Sequence, residues 1–112
     1  MPKYLATFTY SVGSWARMTE SPGDRIEAVR KIMEAIGGQL ECMYWCAETE
    51  DGLTIADFPD SVASGAVQAA MFKTGAFQSI DVKELINKQQ LQAKLVLARD
   101  AGQVYEAPGQ SR

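Results

Sequence analysis

Hydrophobic and polar residues divide this chain into runs of period two and runs of helical spacing. From Lys3 to Ser11 the residues alternate. Tyr4, Ala6, Phe8 and Tyr10 share one face and Leu5, Thr7 and Thr9 the other, and the aromatic and β-branched types favour a strand. Val12 to Gly23 holds Gly13, Ser14, Pro22 and Gly23 and reads as a loop despite Trp15 and Met18. Asp24, with Glu27 three residues on, can cap a helix, and Ile26, Val29, Met33 and Ile36 then recur at three- and four-residue steps. That spacing predicts a helix from Arg25 to Ile36, stopped at Gly37-Gly38.

The stretch from Gln39 to Asp60 reads as two strands joined by a polar turn at Glu48 to Gly52. In its first arm Leu40, Cys42, Tyr44 and Cys46 alternate with Glu41, Met43, Trp45 and Ala47. Both sets are largely apolar, which predicts an interior strand covered on both sides. The second arm, Leu53 to Phe58, ends at Pro59, which has no N–H for a sheet ladder. Asp60 or Ser61 can cap a second helix running to Lys73. Ala76 to Glu84 has the mixed pattern of an edge strand, and Asn87 with Gln90 starts a third helix through Leu91, Leu95 and Ala98 to about Asp100. Residues 101–112, with Gly102, Pro108, Gly109 and Ser111, form a flexible tail after a single domain over residues 1–100.

Strand, helix, strand, strand, helix, strand and an extra helix is the α+β, ferredoxin-like βαββαβ order, an antiparallel sheet with helices on one face. Leu5, Met43 and Trp45 put apolar surface on the other face too. Monomers rarely leave so large an apolar patch bare, so the pattern predicts a homodimer packed sheet against sheet. Higher assembly through the fourth strand or the last helix is left open.

Composition narrows the classes of function. The 112 residues are 46% hydrophobic, enough for one core. A net charge of −3 with scattered Lys and Arg offers no footprint for nucleic acid. No apolar run is long enough to span a membrane, and Met1-Pro2-Lys3 leads straight into a strand, so the expected setting is cytoplasmic. Cys42 and Cys46, about 13 Å apart along an extended strand, cannot bridge each other there and suit a reducing compartment. Without histidine, a zinc site, a Ser-His-Asp triad and histidine-ligated haem are excluded, and no metal or other cofactor is expected.

The order and spacing of Arg25, Gly37-Gly38 with Leu40, Tyr44-Trp45, Asp51, Asp57-Phe58-Pro59-Asp60 and Gly75 resemble the GYD domain proteins, members of the dimeric α/β barrel superfamily. The likeness spans roughly Lys3 to Asn87. At the hairpin turn, where the family has the Gly, Tyr and Asp of its name, this chain has Glu48-Thr49-Glu50-Asp51 and keeps only the Asp. The resemblance implies a ferredoxin-like subunit that forms a dimeric α/β barrel, in a family whose biochemical role is largely unassigned.

Four residues are candidates for a ligand site. Asp57 continues the apolar face of Leu53 and Ile55, where a desolvated carboxylate would have a raised pKa suited to proton transfer; its structural alternative is an ion pair with an arginine such as Arg25. Trp15 can close over a pocket or anchor its loop. Tyr44 offers an apolar wall with a hydroxyl, and Asp51 either ligand contacts or turn chemistry. The reading is a small-molecule pocket between sheet and helices, walled by Trp15 and Tyr44 with Asp57 as its polar group. The rivals are a cofactor-free oxygenase or isomerase of the barrel type and a non-catalytic self-association or regulatory module.

Overall fold

The computed structural model describes residues 1–49 and 51–110. In chain order they form β1 (Lys3–Tyr10), α1 (Val12–Glu20), α2 (Arg25–Glu34), β2 (Gln39–Trp45), β3 (Asp51–Asp57), α3 (Ser61–Phe72), β4 (Phe77–Leu85) and α4 (Lys88–Gly102). The strands make one antiparallel sheet in the order β2-β3-β1-β4, with α2 against β2 and α3 against β4. This is the α+β, ferredoxin-like arrangement.

Local chemistry accounts for the helix starts. Asp24 Oδ1 accepts from Glu27 N at 3.0 Å, Asp60 Oδ1 from Ala63 N at 2.9 Å, and Asn87 and Gln90 form a reciprocal capping box at 2.8 and 2.9 Å. Each cap satisfies a backbone N–H that lacks an intrahelical partner. After α2, Gly37 takes φ +80°, and the Gly38 N–H bonds back to the Met33 carbonyl at 2.9 Å, closing the helix end.

The segment expected as a loop after β1 is the helix α1. Ser11 caps it by accepting from Ser14 N at 3.2 Å, while Pro22 and Gly23 lie beyond its last residue. Ser14 is buried, and Trp15 and Met18 pack on the core, so burial outweighs the weak helix propensity of Gly13 and Ser14.

Strand β2 is also not where its pattern put it. It is an edge strand, because β1 pairs with β3 and β4 and leaves β2 a single neighbour. Its alternation is broken as well: the register with β3 shifts between Leu40 and Cys42, so Glu41 is an extra residue. Leu40, opposite Ala56, therefore joins Met43 on the helix side, and Cys42 and Tyr44, opposite Ile55 and Leu53, face away from the helices. Met43 is buried under the helices and Trp45 ends the strand on the same side, so the two do not contribute to the uncovered face. The turn at Glu48 to Gly52 is described only in part, since Glu50 lies outside the described residues.

Helix-side residues Tyr4, Phe8, Tyr10, Met43, Ala56 and Phe77 meet Val29, Met33, Phe58 and Val67 in one core. Phe8 is held within it by Tyr10 and Phe77, at ring-centroid distances of 5.3 and 5.6 Å. Its ring lies over Gly52, its cross-strand partner, where an added Cβ would stand 2.4 Å from Cζ. The opposite face carries Leu5, Cys42, Tyr44, Leu53 and Ile55, none of them part of the core.

Helix α4 stands apart from this body. None of its 15 residues is buried, and Leu91, Leu95, Val96 and Leu97 are exposed. The helix continues to Gly102, slightly past its expected end, and the last tail residues, Ser111 and Arg112, lie outside the described residues. The molecule measures 65 × 31 × 25 Å with a radius of gyration of 18.6 Å, against about 13 Å for a compact chain of this length.

Because Phe8 is fixed by its aromatic neighbours, Gly52→Ala should lower stability by about 1–3 kcal/mol, the usual cost of overfilling a packed core. Urea unfolding checks this. Combining Gly52→Ala with Phe8→Leu should cost less than the sum of the two single changes, because the smaller side chain makes room.

Candidate functional site

Between the sheet and the helices lies an apolar cavity of about 40 Å³. Tyr4, Phe8, Thr54 and Ala56 form its floor on β1 and β3, and Met33, Val67 and Met71 close it from α2 and α3. A single water needs about 10–15 Å³, whereas pockets for drug-sized ligands span about 300–1,000 Å³. As it stands the cavity therefore suits only a few non-hydrogen atoms. Met33, Met43 and Met71 all border it, and unbranched thioether side chains re-pack readily, so the walls can yield to a larger guest. Its polar lining residues are Thr54, Ser64, Gln68 and Tyr4, with Gln68 Nε2 already donating to the Ile80 carbonyl at 3.1 Å.

None of the four sequence candidates lines this cavity. Asp57 is on the opposite face, directly across from Lys3 in the β1–β3 register, and its carboxylate is 3.3 Å from Lys3 Nζ. Its ion-pair partner is thus Lys3 and not Arg25. Lys3 also bonds Glu41 Oε1 at 2.9 Å, a contact made available by the bulge that places Glu41 on that side. Asp51, on the same face, accepts a hydrogen bond from the Thr9 hydroxyl, and its own N–H bonds Thr49 Oγ1 at 3.3 Å. Tyr44 is 64% exposed opposite Leu53, so it cannot wall a pocket on the helix side.

Trp15 is the candidate nearest the helix side. It packs edge-on to Tyr10 at 5.4 Å, and Tyr10 in turn stacks on Phe77 at 5.3 Å and accepts a hydrogen bond from Trp45 Nε1 at 3.3 Å. Trp15 thus anchors α1 to the end of the sheet, while its own Nε1 is buried without a partner among the described residues. Reading the sequence missed Thr54, Ser64 and Gln68. The signal for Thr54 was the alternation of β3, which puts it on the same side as Gly52 and Ala56.

Lys3 and Tyr4 have displaced proton affinities. The Lys3 ammonium is held above its ordinary 10.5 chiefly by its hydrogen bond to Glu41, with Asp57 adding to the effect and burial opposing it. The Tyr4 hydroxyl is raised above 10.0 by burial, with the Glu84 and Asp60 carboxylates adding to it. Among the described residues no three His, Cys, Asp or Glu side chains gather to hold a metal ion, and no helix is long and apolar enough to cross a membrane.

Comparison with known proteins identifies relatives of this fold. The GYD domain model matches residues 4–95. The crystal structure of PA3566 from Pseudomonas aeruginosa is similar at a TM-score of 0.50 and 18% identity, over 77% of this chain and 93% of that one. A nipsnap family protein with unknown function from Agrobacterium tumefaciens gives a TM-score of 0.45 at 11% identity, over 76% and 86% of the two chains. No curated protein matches the sequence.

The raised affinities of Lys3 and Tyr4 set an alkaline limit. Above about pH 10 the unfolded chain releases these two protons more readily than the folded one, so stability present below that pH is lost as pH rises further. Urea unfolding at about pH 8 and about pH 11 should show the fall, and both Lys3→Met and Tyr4→Phe should make it shallower.

Proposed function

The chain belongs to the GYD domain family, and on that premise we propose that it works as a homodimer binding a small, largely apolar molecule between its sheet and helices. The observation that carries the binding half is the cavity, with its methionine walls and its few polar groups. Hydroxyls and an amide orient a ligand but exchange protons poorly near neutral pH, which favours binding over the proton-transfer chemistry of a cofactor-free oxygenase or isomerase. With Asp57 held by Lys3 on the other face, the carboxylate best suited to such chemistry is remote from the cavity.

Two features support the dimer. Leu5, Tyr44, Leu53 and Ile55 make an apolar centre on the helix-free face, bordered by Lys3, Glu41, Asp57, Asp81 and Lys83. An apolar middle with a rim of both charge signs is the anatomy of a protein interface, and a two-fold axis would lay this patch on its own copy. Helix α4 is the second. Isolated helices of 15 residues are marginal in water, so one with no buried residue and four exposed aliphatic side chains is best explained by a partner subunit that receives it. The free thiols of Cys42 and Cys46 support a reducing, cytoplasmic setting.

Sedimentation equilibrium should give twice the chain mass, and Ile55→Glu or Leu95→Glu should shift the protein toward single chains by burying an unpaired charge. A wild-type protein that sediments as one chain would remove the dimer.

For the cavity, titration with benzene, phenol or indole at fixed protein concentration should raise Tm. A ligand at roughly 100 times its Kd adds about 2.7 kcal/mol, on the order of 10 °C for a domain of this size. Ser64→Leu, which fills the space, should abolish the shift; an equal shift in that variant would place the probe elsewhere.

A further inference from the structure

A second pocket, separate from the apolar cavity, lies where α1 and the start of α2 meet the end of β1. It has a volume of about 320 Å³, at the lower end of the range for small-molecule sites. Its polar side chains are two guanidinium groups, which can only donate, and the hydroxyls of Tyr10, Ser14 and Ser21. Arg17 and Arg25 both border it, and among the described residues neither has a carboxylate within salt-bridge distance. The acidic groups nearest Arg25 in sequence are engaged elsewhere: Asp24 caps α2, and Glu27 pairs with Arg30 at 2.7 Å.

The remaining groups point the same way. Arg25 Nε is buried and, among the described residues, has no hydrogen-bond partner, an unmet donor that an acceptor in the pocket would satisfy. Ser14, 5% exposed, accepts at Oγ from Ser11 Oγ at 3.1 Å and from Arg17 Nη2 at 3.3 Å, leaving its own proton free to be donated. Tyr10, which lines the pocket and is 2% exposed, likewise accepts from Trp45 and keeps its proton available.

We infer that this pocket binds a small organic molecule carrying an oxyanion, a carboxylate or a phosphate. The two guanidinium groups grip the oxygens as planar forks, the Ser14 and Tyr10 hydroxyls donate to them, and Met18 with Ala76 receives the organic part. The inference does not depend on the sheet–helix cavity, which neither arginine lines.

Calorimetric titration of the full chain at low ionic strength, with inorganic phosphate and with benzoate in separate arms, tests it. At least one probe should bind saturably with one site per chain, and the preferred probe identifies the oxyanion. Arg17→Gln and Arg25→Gln should each weaken binding by about tenfold or more, and the pair together should remove it. Arg25→Lys, which keeps the charge but loses Nε and the fork, should weaken it to an intermediate degree and guards against a folding defect in the glutamine variant. Arg30→Gln, on the same helix but exposed and paired with Glu27, should bind as wild type does. Three results would overturn the assignment: no saturable binding of either probe, undiminished binding in a folded double variant, or an equal loss in Arg30→Gln.

Discussion

The seat of Phe8 on Gly52 is the constraint from which the rest of this molecule follows. The two residues face each other across the central β1–β3 pair, and the ring occupies space that any side chain at position 52 would need. A shift of one residue in that pairing would replace Gly52 with Asp51 or Leu53 and turn every β3 side chain to the wrong face. The register so fixed also sets Lys3 against Asp57 at the far end of the pair, and it puts Thr54 and Ala56 beneath the helices. Packing on one face and charge pairing on the other thus share one origin.

Much of the fold was legible because its signals are local. The caps Asp24, Asp60 and Asn87 act on N–H groups three residues away, the stop at Gly37 needs only a backbone conformation, and the alternation of β1 survives intact in the structure. What could not be read depends on contacts distant in sequence. Helix α1 looked like a loop because Trp15 packs on Tyr10, which is itself held by Phe77 and Trp45, residues far along the chain. β2 looked interior because its residues are apolar on both sides, whereas strand order is decided by which strands β1 accepts as neighbours.

The candidate site was less legible than the fold for a related reason. Extrapolating strict alternation through the hairpin sends Asp57 and Tyr44 toward a pocket only if the helices cover their side of the sheet. The helices cover the side of Ala56 and Met43 instead. A cavity is, moreover, a mismatch between side chains from separate elements, and no single segment encodes it. The guanidinium groups of Arg17 and Arg25 are of the same kind: each is an ordinary surface residue in sequence, and only the turn between α1 and α2 brings them to one pocket.

The irregularities in β2 and β4 have a bearing on growth of the sheet. Each outer strand holds one surplus residue, Glu41 in the first and Gln78 in the second, which interrupts the even spacing of backbone donors and acceptors. A foreign extended segment seeking to zip along either border would lose step with it after a few residues. Lateral stacking of chains into ribbons is thereby discouraged at both borders.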